Sequence, residues 1–541
     1  MGSISVLDCT LRDGGYCNDW KFGRNNTKKV ISMLVESGVE IVECGFLKEN
    51  DLYDPECTKF NTVRQVSEII PSDKGDSLFV AMMNYGEYDV NNLTAKSVDI
   101  RLDGIRVAFH KKEIEEAIRI CCAIKEKGYL VFLQPMVSIL YSDEEFLYLI
   151  KKTNEIQPYA FYIVDSFGSM KRKDMVRLFY MVEHNLNADI RIGFHSHNNM
   201  QLAFSNAQAL IDIRIKHNLI IDSCVYGMGR GAGNLNTEIF LEYLNDNMDS
   251  DYKLKPLLIV IDEILDAFYQ KDKWGFSLPN YLSASHNTHP NYAGYLNDKH
   301  TLTVEGMSDI FDMMDDNKRA YYDREYIESL YLRYLSRGEV QEERKTEFIE
   351  SLTGKSVLVI APGKSSADKK DEILHFCNDN DIVTLSVNFD YSYYDVDYIF
   401  ASNQRRFKKI GKDRYKKCIV TSNISADETY LRTDYKDLLN DHKGVQDNAG
   451  LLAINFLIRC GVKKIYVVGI DGYSHNLTIN FGDVRLSYIA KAAVLDEMNI
   501  GITDVINEYS KKVKIMFITN PKYLKALDKR VEVIQSALGN F

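Results

Sequence analysis

The first 230 residues repeat one pattern of hydrophobic and polar positions. A short run rich in Val and Ile comes first, then a polar stretch, then a segment with apolar residues at helical spacing. The runs interpreted as strands cover residues 3–8, 40–46, 77–83, 102–108, 129–136, 160–165, 189–195 and 219–226. Their starts lie about 25 to 37 residues apart, which leaves room for one crossover helix between parallel strands. Eight such units predict a closed (β/α)8 barrel rather than an open sheet.

The pattern changes twice after the barrel. Residues 241–350 are predicted to be mainly helical, and they read as an extension and linker. From Lys355 onward, apolar runs at 357–360, 382–388, 397–401, 417–421, 464–470 and 513–517 alternate with helical segments. This alternation predicts an open, Rossmann-like α/β sheet. We therefore predict an α/β protein in three parts: a barrel at 1–240, a helical extension at 241–350, and a second α/β domain at 355–541.

Composition narrows the class of protein. The chain has 541 residues, 45% hydrophobic and 26% charged, which suits a globular protein with more than one core. A net charge of −11 without a basic stripe argues against nucleic acid as the main partner. No apolar run reaches the length of a membrane span, and the N-terminus lacks a signal-like region. The ten cysteines are scattered without a CxxC motif, so we predict a reduced, cytoplasmic protein.

Polar residues recur where the predicted barrel strands end, which is where barrel enzymes carry their chemistry. Those that we take as candidate site residues at this rim are Arg12, Asp13, Glu43, Gln134, Ser166, His195, His197 and Asn234. Arg12 beside Asp13, followed by two glycines, is an unusual way to leave a strand. An arginine there could neutralise a developing oxyanion, and a carboxylate could hold a metal. The alternative is an ion pair that only caps the first strand.

His195-Ser196-His197 is the sharpest local signal. Side chains two residues apart on a strand point to the same side, so two imidazoles can share one metal ion. Asp13 is available across the barrel mouth, and Asn234, after the glycine-rich run 227–233, could add an oxygen ligand. Such a set suits Mg²⁺, Mn²⁺, Zn²⁺ or Fe²⁺, and the oxygen-rich remainder favours Mg²⁺ or Mn²⁺.

Together these motifs resemble the DRE-TIM metallolyases, a superfamily that includes 4-hydroxy-2-oxovalerate aldolase, hydroxymethylglutaryl-CoA lyase and the isopropylmalate and citramalate synthases. The motifs are Thr10-Leu11-Arg12-Asp13-Gly14, His195-Ser196-His197 and the run from Gly227 to Asn234, and the resemblance covers about residues 1–310. It implies that Asp13, His195 and His197 ligate a divalent metal. It also implies that Asn234 occupies a ligand position and that Arg12 stabilises an enolate oxygen.

Within the superfamily the chain looks most similar to the hydroxy-oxovalerate aldolases. Asp165-Ser166-x-Gly168 matches their pattern on strand six, which implies that Ser166 helps to hold the 2-oxo acid. Tyr292 is the best match to a tyrosine that those aldolases keep at the catalytic site. The chain departs from the pattern at Tyr16, where the aldolases place an acid/base histidine. Either Tyr16, His286 or His289 takes over that role, or the reaction differs.

The second α/β domain offers a different candidate site. A strand, a turn containing Gly363, Lys364 and Ser365, and a helix form a common phosphate-binding arrangement, although neither a P-loop nor a dinucleotide fingerprint is present. The segment from Asp447-Asn448 to Asp471 weakly resembles the bacterial sialyltransferase-like fold. That resemblance implies a site for a nucleotide or nucleotide-sugar at Gly363, Lys364, Ser365, Asp447, Asn448 and Asp471. A binding domain is favoured slightly over an active transferase.

These observations predict a divalent-metal-dependent, class II-type aldolase that acts through the enolate of pyruvate or another 2-oxo acid. Its partners would be a small 2-oxo acid and an aldehyde or sugar, and family analogy favours a homodimer. The two domains together suggest synthesis of an unusual sugar for a surface polysaccharide. A Claisen-type synthase that joins an acyl-CoA to a 2-oxo acid is one alternative. A glycan-assembly binding protein with an inactive barrel is another.

Overall fold

The computed structural model describes residues 2–49, 52–213, 216–299, 302–336, 338, 342–426, 428–442, 444–483, 486 and 492–534. The chain divides into two compact units. The first comprises Met1–Tyr295 and Met314–Tyr322, and the second comprises Leu296–Met313 and Asp323–Phe541. The region predicted as a helical extension therefore contributes residues to both units.

The first unit is built on a closed parallel barrel. Its strands are β1 (Ile4–Asp8), β2 (Ile41–Leu47), β3 (Lys59–Phe60), β4 (Leu78–Asn84), β5 (Gly104–Phe109), β6 (Leu130–Pro135), β7 (Ala160–Asp165), β8 (Arg191–Ser196) and β9 (Leu219–Ser223). Neighbours follow the order β1-β9-β8-β7-β6-β5-β4-β2, and β1 pairs with β2 to close the ring, while the short β3 extends β2. The eight predicted strands and the barrel are confirmed.

Helices lie between most of the barrel strands. They are α1 (Arg24–Ser37), α2 (Val63–Ser67), α3 (Ile114–Glu126), α4 (Asp143–Ile156), α5 (Arg172–Asn185), α6 (Ala203–Asp212) and α7 (Thr237–Asn247), followed by α8 (Lys255–Val260), α9 (Asp266–Lys271), α10 (Leu278–Ser285) and α11 (Pro290–Asp298). The gap between β4 and β5 contains only a 3₁₀ turn, Val90–Asn92. Its sequence has too few apolar residues at helical spacing to bury a helix face, so the expected crossover helix is absent there.

Alternation along the strands separates the outer core from the barrel interior. On β1 and β2, Val6 and Val42 pack with the surrounding helices, whereas Leu7 and Ile41 pack inside the barrel. Successive strand residues point to opposite faces, so Glu43 points the same way as Ile41. The charged side chain of Glu43 therefore points into the barrel interior.

The second unit is an open parallel sheet. Its strands are β10 (Ser356–Ile360), β11 (Val383–Val387), β12 (Tyr398–Ala401), β13 (Cys418–Thr421), β14 (Leu431–Thr433), β15 (Lys464–Val468), β16 (Lys514–Phe517) and β17 (Glu532–Val533), in the order β14-β13-β12-β11-β10-β15-β16-β17. The predicted α/β sheet is confirmed, and β14 and β17 are short strands that the sequence pattern did not indicate.

The helices that precede or flank this sheet complete the second unit. They are α12 (Val304–Asp312), α13 (Arg324–Leu335), α14 (Glu342–Leu352), α15 (Lys364–Asp368), α16 (Lys370–Asp379), α17 (Gln404–Phe407), α18 (Ala449–Arg459) and α19 (Ala492–Tyr509). Among the described residues of both units, none of the helices combines the length and apolar character needed to cross a membrane.

Candidate active site

Three buried side chains converge at the carboxyl end of the barrel. Asp13 follows β1, His195 lies in β8 and His197 comes just after it. The Nε2 atoms of His195 and His197 lie 3.6 and 3.7 Å from Asp13 Oδ2, and one ligand atom from each residue falls within 4.8 Å of the others. All three residues are at least 95% buried. The geometry brings together the three residues that the sequence motifs singled out for a metal.

The surroundings fit a divalent cation. Asn234 Nδ2 donates to Met228 O and to Cys224 Sγ, each at 3.3 Å, while its buried Oδ1 has no partner among the described residues. An unpaired buried carbonyl oxygen is costly, and a cation would satisfy it. Two imidazole nitrogens, a carboxylate and an amide oxygen form a donor set suited to Mg²⁺, Mn²⁺ or Zn²⁺.

Electrostatics prepare Asp13 and His197 as ligands. Burial by itself would raise the pKa of Asp13, but the charge of Arg12 and the two imidazoles hold it well below the usual value. Asp13 is therefore ionised. Burial lowers the pKa of His197 to about 3, so its imidazole is neutral and keeps a lone pair.

A layer of buried charges supports the three residues from inside the barrel. Arg12 Nη1 lies 2.5 Å from Asp13 Oδ2, and Arg12 Nε lies 2.8 Å from Glu43 Oε2. Arg106, which is fully buried, pairs with Glu43 at 2.8 Å and closely with Asp222. Three carboxylates therefore face two guanidinium groups, which leaves a negative charge for a protonated imidazole or a cation to balance.

Asp222 fixes the orientation of one histidine. Its Oδ2 accepts a hydrogen bond from His195 Nδ1 at 3.0 Å, which directs the Nε2 atom of His195 towards Asp13. Such a carboxylate behind a histidine is the usual support of a metal ligand. Neither Asp222 nor Arg106 was predicted as a site residue. The sequence signal that could have revealed them is a charged residue inside an apolar strand. Asp222 lies in the strand 219–223, and Arg106 lies in the strand 104–109.

Two residues predicted to bind substrate belong to this inner layer instead. Glu43 is fully buried and holds Arg12 and Arg106. Gln134, with its amide oxygen turned towards Arg106, accepts from Nη2 at 3.0 Å and from Nε at 3.2 Å. Both therefore position the arginines. Ser166 is also buried, and its Oγ accepts a hydrogen bond from Val137 N at 3.0 Å.

A cavity of about 490 Å³ lies at the barrel mouth, and Tyr16, Arg230 and His289 line it. The backbone N–H of Arg230 donates to Asp13 Oδ1 at 3.2 Å, which connects the cavity wall to the metal-ligand candidates. The Arg230 guanidinium lies 5.4 Å from the Tyr16 ring centroid and donates from Nη2 to Ser166 O at 3.2 Å. Its buried Nε has no partner among the described residues. Arg230 was not predicted as a site residue.

Of the four candidates for proton transfer, two line the mouth cavity and two do not. Tyr16, whose side chain is 42% exposed, and His289 both line the mouth cavity. Burial, followed by the charge of Arg230, lowers the pKa of His289 to about 3, so this imidazole is neutral. His286 lies at the end of α10 with Nδ1 2.8 Å from Leu282 O, and it does not line the cavity.

Tyr292 is held away from the cavity by the protein backbone. It is fully buried, and its hydroxyl donates to Lys318 O at 2.9 Å and to Tyr321 O at 2.5 Å. Its ring lies 5.2 Å from that of Tyr322. This environment is that of a packed aromatic residue, so the geometry does not bring Tyr292 to the reacting groups.

The six residues predicted to bind a nucleotide in the second unit do not all line the same cavity. Gly363, Asp447, Asn448 and Asp471 line one cavity, whereas Lys364 and Ser365 are not part of its lining. Ser365 is instead bonded to Asp471 through its N–H and its hydroxyl.

Comparison with known proteins finds similarities to the barrel of the first unit. Residues 3–262 match the HMGL-like family. A 4-hydroxy-2-oxovalerate aldolase from Geobacillus genomosp. 3 is 26% identical over 246 residues, which cover 45% of this chain and 71% of the relative. An oxaloacetate decarboxylase from Mycobacterium tuberculosis is 23% identical over 246 residues, covering 44% and 69%. The crystal structure of HMG-CoA lyase from Brucella melitensis is 15% identical with a TM-score of 0.41, covering 50% of this chain and 99% of that one.

The family match confirms the resemblance that the three rim motifs indicated, while the sialyltransferase-like resemblance of the second unit stays a prediction. Asp13, His195, His197 and Asn234 all fall within the matched range. The barrel of the first unit is therefore similar to the HMGL-like family over residues 3–262.

Proposed function

We propose that the barrel is a divalent-metal-dependent aldolase that forms or cleaves a carbon–carbon bond through the enolate of pyruvate or a related 2-oxo acid. The observation that carries this proposal is the buried cluster of Asp13, His195 and His197 with Arg12 paired to Asp13. The name of the Geobacillus relative, 4-hydroxy-2-oxovalerate aldolase, supports the same class of reaction.

Asp13, His195, His197 and Asn234 would hold Mg²⁺ or Mn²⁺. When bound, such an ion supplies a Lewis acid for the oxygens of a 2-oxo acid. Glu43 and Asp13 fix two sides of the Arg12 guanidinium, so its positive charge is preorganised where an enolate oxygen develops. Because Ser166 Oγ accepts from Val137 N, its own hydrogen can be donated to the 2-oxo acid.

Proton transfer would fall to the residues of the mouth cavity. His289 is neutral and can accept a proton, and a substrate carboxylate beside it would raise its low pKa towards the working range. Tyr16 is the alternative proton donor or acceptor, because its phenol opens into the same cavity. The unusual sugar, the surface polysaccharide and the homodimer stay predictions.

The proposal can be tested by exchange of the pyruvate methyl protons in deuterated water, followed by NMR. We expect exchange that stops in excess EDTA and returns with Mg²⁺ or Mn²⁺. His195→Ala should abolish it, while His184→Ala, which removes an exposed imidazole on α5, should leave it unchanged. Full exchange in the presence of EDTA would contradict the metal requirement.

Decarboxylation of a 2-oxo diacid is a second candidate, because it passes through the same enolate. The observation that favours it is the similarity to an oxaloacetate decarboxylase. Release of CO2 from oxaloacetate, compared with release of aldehyde from 4-hydroxy-2-oxo acids, separates the two reactions. Faster turnover of oxaloacetate than of every hydroxy-oxo acid tested would favour the decarboxylase.

A further inference from the structure

The second unit holds a cavity of about 290 Å³ at the carboxyl ends of its central strands. β10 and β15 are neighbours, but the chain continues from β10 to β11 on one side and from β15 to β16 on the other. The loops that leave these strands therefore diverge. The crevice between such loops is where open parallel α/β sheets bind ligands. The cavity occupies this crevice, because residues 361–363 and 469–473 line it.

Two glycines form the floor of the cavity. Gly363 N donates to Gly469 O at 2.9 Å, and Gly469 has a φ of +77°. A Cβ atom at position 469 would lie 1.9 Å from Ala361 O, and one at position 363 would lie 2.3 Å from Gly469 O. Because no side chain fits between the loops, the floor is made of peptide groups that a ligand can approach closely.

One wall of the cavity is suited to an anion. Helix α18 begins there, capped by Asn448, whose Oδ1 accepts from Gly450 N at 3.1 Å and from Leu451 N at 3.3 Å. Arg406 lines the same cavity and donates from Nη2 to Leu486 O at 3.3 Å. A helix N-terminus and a partly buried guanidinium both stabilise negative charge, and phosphate is the usual ligand of such a pair.

The same cavity also carries hydrogen-bond acceptors. Asp447 directly precedes the cap of α18, and among the described residues no side chain donates to its carboxylate. Burial raises the pKa of Asp447 to about 6, so the carboxylate is in a desolvated position that a ligand hydroxyl would relieve. Asp471, in contrast, is occupied by Ser365, which donates from N at 2.8 Å and from Oγ at 2.5 Å.

We propose that this cavity binds a phosphate ester of a sugar, either within a nucleotide or as a free sugar phosphate. The phosphate lies against the N-terminus of α18 and Arg406, and the sugar hydroxyls donate to Asp447. The cavity volume is near the lower end of the roughly 300–1,000 Å³ that is typical of small-molecule sites. The cavity is therefore larger than a phosphate ion alone would need. Arg406, which was not predicted as a site residue, thus supplies the cationic contact, whereas the predicted Lys364 does not line the cavity.

Isothermal titration calorimetry on the full-length protein tests this proposal independently of aldolase activity. The probes are CMP, UMP, AMP and GMP in one arm and ribose 5-phosphate and glucose 1-phosphate in the other, with cytidine, glucose and inorganic phosphate as references. We expect at least one ester to bind and to lose affinity by about tenfold or more in Arg406→Gln. The exposed neighbour offers a matched control, because Arg405→Gln removes the same charge outside the cavity and should bind normally.

Asp447→Asn provides a second variant if Arg406→Gln fails to fold, and it should weaken the esters but not inorganic phosphate. The arm that contains the tightest probe identifies the source of the ester. Three results would overturn the proposal: no ester binds at millimolar concentration, a reference compound binds as tightly as the esters, or the variants that fold bind like the wild type. His195→Ala should retain the binding, so failure of the aldolase proposal leaves this test intact.

Discussion

The most informative perturbation is Asp222→Asn, because it changes the support of the metal-ligand candidates without replacing any of them. Asp222 is 99% buried and has two partners, His195 Nδ1 at 3.0 Å and the guanidinium of Arg106. The substitution keeps the size of the side chain and removes its charge. Arg106 then keeps Glu43, which it shares with Arg12, and the neutral amide of Gln134.

Two magnitudes follow from this geometry. Loss of the carboxylate behind a metal-binding histidine typically lowers metal affinity by about 10- to 100-fold. Removal of one partner from a buried ion pair costs roughly 3–5 kcal/mol, and the remaining bond to Glu43 should keep the cost at the lower end of that range. We therefore expect a variant that folds, is less stable by about 3 kcal/mol, and binds Mn²⁺ at least tenfold more weakly.

Metal affinity can be measured by titration of Mn²⁺ into chelator-treated protein, and stability by urea unfolding of the same samples. Asp103→Asn is the matched control, because it also removes a charged partner, in its case from Lys74 and Lys96, while lying outside the candidate site. Wild-type Mn²⁺ affinity in folded Asp222→Asn would refute the role assigned to this residue. A loss of stability without a loss of affinity would mean that Asp222 only balances Arg106.

Three further predictions concern charges on or near the rim. Arg12→Lys should slow exchange of the pyruvate methyl protons by about 10²- to 10³-fold, measured by NMR, because an ammonium cannot bridge Glu43 and Asp13 as the guanidinium does; exchange at the wild-type rate would contradict this. Arg230→Gln should raise the KM for substrates with a second anionic group more than for substrates with a single carboxylate, in steady-state assays of both, since its Nε has no partner among the described residues; equal effects on both would argue against it. Burial raises the pKa of Asp8 from 3.8 to about 6, so the folded state binds more protons than the unfolded state between these values, and this group lowers stability as the pH rises through them. The stability of Asp8→Asn relative to the wild type, measured by urea unfolding, should therefore rise by up to roughly 3 kcal/mol between pH 4 and pH 7. A stability difference that stays constant over this pH range would disprove the shift.

The rim motifs could be found in the sequence because each lies at the end of a strand. Once the eight strands are recognised, barrel topology brings Asp13 and His195 to one rim, although they are far apart in the sequence. The same rule does not reach beyond the barrel. His286, His289 and Tyr292 were all candidates by sequence, yet of these three only His289 lines the cavity, because the path of the chain around α10 and α11 decides which side chain points inward.

The repeat of apolar runs and helical segments by itself determined the barrel, the second parallel sheet and the three convergent metal-ligand candidates, since these depend on local periodicity and on strand direction. Tertiary structure alone decided the pairing of Asp222 with His195 and the division of Glu43 between Arg12 and Arg106. Those contacts join residues that are distant in sequence, and burial forces each charge to find a partner that no periodic pattern specifies.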